Sequence, residues 1–135
     1  MTLVADASAV VAFLTDDGER GRWVESQFWD HELAAPELMF YEVANTLRKH
    51  LKANKLDRLT AVRAHAEVLA MPLSAAPYEF VADRIWELRE NFTAFDAAYI
   101  ALAERLNVAL VTLDARMSRG PGTRCRFVVF GQDSA

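Results

Sequence analysis

Apolar positions in this chain alternate between short continuous runs and stretches spaced three or four residues apart, the pattern of strands interleaved with helices. Thr2 to Ala5 is a short, partly β-branched run that stops at Asp6, and Ala7 to Leu14 continues as a helix until the polar stretch Thr15-Asp16-Asp17-Gly18. Glu19 to His31 sets Trp23, Gln27 and Phe28 at helical spacing, and Leu33 to Ala35 predicts a brief second strand. Pro36, with its φ already fixed, is expected to open the next helix. Along Glu37 to Ala53 the stripe Phe40, Ala44, Leu47 and Leu51 predicts the buried face, while Leu38 to Tyr41 surrounds a whole turn with apolar groups and predicts enclosure on most sides. Asp57 to Met71 carries Leu59, Val62, Ala66 and Leu69 in a similar stripe and stops at Pro72, so the two helices predict a hairpin.

After Pro77, the residues Phe80, Val81, Ile85, Trp86 and Leu88 give another amphipathic helix. Thr93 is a suitable N-cap for a helix running through Arg105 and closed by Asn107. Val108 to Leu113 is the clearest buried strand, and Phe127 to Phe130 predicts a last one after the Gly120-Pro121-Gly122 turn. Strands separated by helices imply a mainly parallel sheet of four or five strands covered by helices, and residues 1–135 show no repeat, low-complexity tract or long linker. The expectation is a single domain.

Composition sharpens this only modestly. With 135 residues, 53% hydrophobic and 25% charged, the chain has the size and mix of one globular domain with a sizeable core. The apolar start lacks a basic flank and is interrupted by Asp6, no run approaches the roughly 18–20 residues needed to cross a bilayer, and the single Cys125 has no partner for an internal disulfide. A cytoplasmic location with no membrane association is expected. The net charge of −4 argues against a global positive field, but nine of the fifteen basic residues crowd two windows: Arg48, Lys49, Lys52, Lys55 and Arg58, then Arg116, Arg119, Arg124 and Arg126. Each run by itself describes a solvated surface; beside an acidic centre, both also suit a phosphate backbone.

The candidate chemistry lies in four acids. Asp6 and Asp114 each end a strand and precede a helix, where open α/β sheets gather ligands, although each is equally suited to capping that helix. Asp96 follows Thr93 by three residues, as in a capping box with Asp in place of Glu or Gln. Glu42 follows the Leu38 to Tyr41 turn, where an enclosed carboxylate needs a cation or several hydrogen bonds. Carboxylates without neighbouring His or Cys form a hard oxygen site suited to Mg²⁺ or Mn²⁺ and to phosphate esters. Ser8, Asn45 and Thr112 stand near these acids in sequence, positioned to orient a carboxylate or a water, with Asn45 and Ser8 ranked above Thr112.

With Asp6 in VADASAVVAFL, Glu42 in PELMFYEVANTLRK, Asp96 in FTAFDAAYIALAERL and Asp114 in LVTLDARMSR, the chain resembles the PIN-domain family, particularly the VapC toxins, over nearly its whole length. The resemblance implies a three-layer α/β/α sandwich and a Mg²⁺- or Mn²⁺-dependent ribonuclease centre built from Asp6, Glu42, Asp96 and Asp114. It further implies an RNA substrate, a homodimer and a cognate antitoxin. Leu113 stands where many relatives place a small or polar residue, Met117 where an apolar or aromatic one is usual, and Ala115, Arg116, Met117 and Ser118 supply none of the further acid that some relatives carry. The rival readings are a catalytically silent module that binds RNA or protein, and a phosphoryl-transfer enzyme using Asp6 as nucleophile. Ser8 in place of a second acid, and the absence of any Lys after Lys55, weigh against the latter. His31, His50, His65 and Cys125 lack zinc-ligand spacing, and there is no Walker-type glycine loop.

Overall fold

A computed structural model describes residues 1–132. The chain runs β1 (Thr2–Ala5), α1 (Ala7–Thr15), α2 (Glu19–Phe28), β2 (Glu32–Pro36), α3 (Leu38–Lys52), α4 (Arg58–Ala70), β3 (Leu73–Ala76), α5 (Tyr78–Glu87), α6 (Ala94–Leu106), β4 (Leu110–Thr112), α7 (Ala115–Arg119) and β5 (Phe127–Val129). The five strands form one sheet in the order β3-β2-β1-β4-β5, and every pairing is parallel. Helices α1 to α4 pack on one another, α5 packs on α6, and α6 lies across β1, β2 and β4, giving an α/β/α sandwich.

Chain order reverses between β1 and β4. The chain leaves β1 toward β2 and later returns to β1's other side as β4, so the connections diverge and leave a crevice at the carboxyl ends of these two strands. Asp6 and Asp114 stand at its lips, each as the N-cap of the helix that follows its strand. The centre of the sheet is dry: Val4, Leu110 and Val111 are fully buried in one core cluster with Val10 of α1 and Ile100 and Leu102 of α6.

Two helical stripes differ from expectation. On α3 the buried positions are Met39, Val43 and Leu47, at i, i+4 and i+8, while Ala44 and Leu51 are exposed. Tyr41 is 79% exposed, so the Leu38 to Tyr41 turn is open on one side. On α4 the buried positions are the small Ala61 and Ala64 with Val68, which let the helix sit close against α1 and α3, and the larger Leu59, Val62 and Leu69 face outward.

Two local expectations also change. Pro36 closes β2, paired with Ala76, and helix α3 begins at Leu38. The strand Leu73–Ala76 between α4 and α5 is one that periodicity did not predict; it is a short edge strand with Ser74 and Ala75 exposed, so it carries no apolar run. Elsewhere α6 ends as expected on Asn107, whose left-handed φ of 56° turns its N–H back onto the carbonyls of Ala103 and Glu104. None of the helices among the described residues is long and apolar enough to cross a membrane.

Candidate active site

Among the described residues Asp6 is the only acid in the buried core, 4% exposed, and every hydrogen bond to it comes from a neutral donor. Its Oδ1 accepts from the Ala9 backbone N–H at 3.0 Å, the helix cap, and from Ser8 Oγ at 2.6 Å, while Oδ2 accepts a short hydrogen bond from Thr112 Oγ1. Both hydroxyls are used twice. Ser8 Oγ accepts from the Leu113 N–H at 3.1 Å, and Thr112 Oγ1 accepts from the Asp114 N–H at 2.9 Å. Asp6 is thereby coupled through two hydroxyls to the backbone that carries Asp114, and the lips of the crevice are fixed relative to each other.

Burial raises the Asp6 carboxyl to about 6; the hydrogen bonds from Ser8, Thr112 and Ala9 oppose this, and the charge of Asp114 adds to it. Asp96 stands on the first turn of α6, and the helix cap there is Thr93, whose Oγ1 accepts the Asp96 N–H at 3.1 Å. Capping by Thr93 leaves the Asp96 carboxylate available. It is raised by burial and by the charge of Asp114, and lowered by Arg116. Glu42, half-buried on α3, accepts a 2.5 Å hydrogen bond at Oε1 from the Tyr99 hydroxyl. Burial raises Glu42, the Tyr99 bond lowers it, and the charge of Asp96 raises it again.

The acids are close enough to feel one another's charge in succession: Asp6 and Asp96 that of Asp114, and Glu42 that of Asp96. Burial pushes Asp114 upward, but it ends below the ordinary value, because the Arg116 backbone N–H and guanidinium donate to it at 3.0 and 3.2 Å. Among the described residues no three acids stand grouped closely enough to enclose one ion as they are. The donor set is nevertheless of one kind, carboxylate oxygen, and includes a buried Asp6 without a cationic partner, which fits a hard divalent ion and no softer metal.

Of the supporting residues, Ser8 and Thr112 both touch Asp6, whereas Asn45 is exposed on α3 and hydrogen-bonds to none of the acids. Two participants escaped the sequence reading. Tyr99, almost fully buried and pushed far up in pKa by burial and by Glu42, lies three residues after Asp96 on the same helix face, and that i, i+3 spacing was the available signal. Arg116 belongs to a basic run already noted, but its pairing with Asp114 was not evident. A cavity of about 660 Å³ lies at the opposite end of the sheet among Met1, His31, Glu104 and Cys125, and none of the four acids lines it.

The family model for the PIN domain matches residues 3–122. The chain belongs to the PIN-domain family. Within it, the chain is 35% identical over 127 residues to a VapC ribonuclease of Mycobacterium bovis, covering 94% of this chain and 97% of that one. It is 32% identical over 133 residues to a VapC ribonuclease of Pyrobaculum aerophilum, covering 87% and 93%. Among solved structures, DNA-bound VapBC from Salmonella typhimurium superposes with a TM-score of 0.67 at 16% identity, covering 96% of this chain and 98% of that one. The PIN fold thus accounts for the five-stranded parallel sheet.

Proposed function

We propose that this chain is a PIN-domain endoribonuclease of the VapC type, the toxin of a toxin-antitoxin pair, hydrolysing RNA phosphodiesters in the cytoplasm with the help of a divalent ion. The observation that carries the reading is Asp6: a carboxylate buried at a sheet switch point, bound only by hydroxyls and a backbone N–H, and facing further acids. Its burial without a counter-ion is costly unless a cation joins it. Ribonuclease relatives at 35% and 32% identity over most of the chain support the same chemistry. Toxin-antitoxin complexes among the structural neighbours support an antitoxin partner, and a homodimer completes the assembly we propose.

Asp6, Asp96, Asp114 and Glu42 would hold Mg²⁺ or Mn²⁺, which supplies Lewis-acid polarisation of phosphoryl oxygens and a more acidic water. The rest of the work falls to the chain. Ser8 and Thr112 hold both oxygens of Asp6 in fixed directions, so that its carboxylate would be oriented before an ion bound. Tyr99 holds Oε1 of Glu42, leaving Oε2 to accept a proton from the attacking water or to face the ion. Arg116 neutralises Asp114, and its exposed guanidinium would be available to the phosphate backbone if Asp114 held an ion.

Purified protein is expected to cut RNA in Mg²⁺ or Mn²⁺, to stop in excess chelator, and to lose cleavage on Asp6→Asn while remaining folded by circular dichroism. Cleavage that persists in chelator, or normal turnover by the folded variant, contradicts the assignment. A second reading, a PIN module that binds RNA or protein without cutting, draws on the absence of a preformed three-acid group among the described residues. RNA binding with no metal-dependent hydrolysis would favour it.

A further inference from the structure

A second cavity, about 460 Å³, opens directly from the acid site. Ser8, Leu113 and Asp114 line its near end; Thr15, Asp16 and Arg20 from the α1–α2 side, and Thr46 and His50 from α3, line the rest. Two acids face it, and both are already engaged: Asp16 Oδ1 accepts the Gly18 N–H at 2.7 Å, and Asp114 is paired with Arg116. Arg20 forms no ion pair among the described residues. Its guanidinium lies 5.5 Å from the centroid of the Phe130 ring, which supports one flat side and leaves the N–H edge for a planar or tetrahedral anion.

We propose that this cavity is a phosphate subsite, in which Arg20 and His50, assisted by the Thr46 hydroxyl, hold a phosphodiester neighbouring the scissile one; the Thr15 hydroxyl donates instead to the Val11 carbonyl at 2.8 Å. The inference rests on the nuclease reading of the acid site and extends it. An acidic centre repels a polyanion, so a strand crossing it needs neutralised phosphates alongside. Arg20 and His50 are the cationic or N–H-bearing side chains in a cavity shared with Ser8 and Asp114; Arg20 lies outside both basic runs evident in the sequence, and His50 lies within the first. A hydroxyl, an arginine fork and an imidazole N–H form a donor set for phosphate oxygens and offer nothing selective for a base.

The test is a chemical double-mutant cycle on an RNA oligonucleotide that the parent cleaves, with single uncharged methylphosphonate linkages placed at successive positions around the cut. Arg20→Gln and His50→Gln are each expected to raise KM by roughly fivefold to thirtyfold with kcat little changed and to flatten the salt dependence, while Arg20→Lys restores part of the loss. One methylphosphonate position should impair the parent but add no further loss in Arg20→Gln. Fully additive losses at every position overturn the subsite, as does unchanged KM in both variants. A site for free anion alone would show as inorganic phosphate binding to the parent that Arg20→Gln abolishes, with additive methylphosphonate losses, and that outcome also overturns it. A parent that cuts no RNA at all defeats the nuclease reading itself, which the other outcomes leave standing.

Discussion

Asp6 illustrates how one residue serves both structure and chemistry. As the N-cap of α1 it satisfies the Ala9 N–H, yet its position among buried neighbours raises its carboxyl from 3.8 to about 6. Because it holds its proton more tightly folded than unfolded, the folded chain binds more protons between about pH 4 and 6, and stability falls as pH rises through that window. In chelator, Asp6→Asn is therefore expected to gain on the order of 1–3 kcal/mol over the parent above pH 6, an advantage that shrinks away below pH 4. Urea denaturation across this pH range checks it; equal stability of variant and parent at pH 7 contradicts it. A residue retained at a stability cost is expected where its charge has a use. The places of three of the four candidate acids, after a strand or in the first turn of a helix, were legible because those positions follow from local pattern. Tyr99 was not, because its role depends on a contact with Glu42, 57 positions away.

At the scale of elements, sequence periodicity located most helices and strands but not always which face is buried. On α4 the large apolar residues Leu59, Val62 and Leu69 point outward, since close approach to α1 and α3 selects the small Ala61 and Ala64. Hydrophobicity marks a stripe, but space decides which stripe fits. The α1–α2 crossing follows the same rule. Gly21 is a helical glycine, where alanine would ordinarily be favoured, but an added Cβ would sit 1.7 Å from the Asp16 carbonyl oxygen. Gly21→Ala is expected to destabilise by about 1–3 kcal/mol, visible as a lower melting temperature, because the helices must separate. A variant melting at or above the parent would show that this contact is not tight. The edge strand β3 escaped detection for the opposite reason: four residues with half their side chains in solvent leave no periodic mark.

Across the whole molecule, the sheet separates the site from a polar clasp at its other end. Asp96 and Glu104 share α6 at a separation of eight residues, about 12 Å along a helix. Glu104 binds Arg84 through Oε1 at 2.6 Å and Oε2 at 3.3 Å, and Oε2 also accepts the Arg124 N–H at 2.7 Å, while Arg84 reaches the Gly122 carbonyl at 2.7 Å. The clasp pins the loop before β5 to α5 and α6. Glu104→Ala is expected to cost about 1–3 kcal/mol of stability and to leave KM and kcat for RNA at parental values. A changed rate without a change in stability would place the clasp within the chemistry. The fold class was readable from strands interrupted by helices, but the strand order that creates the crevice was not, because it is set by which sheet edge each crossover returns to.

All of this converges on the claim that separated acids jointly bind a hard divalent ion, and calorimetric titration with Mn²⁺ in the absence of RNA tests it most directly. The parent is expected to bind Mn²⁺ with an affinity that Asp6→Asn and Asp96→Asn each reduce by at least tenfold, with both variants folded. Mn²⁺ binding of equal strength in the parent and in both variants, or none in the parent, would contradict the account.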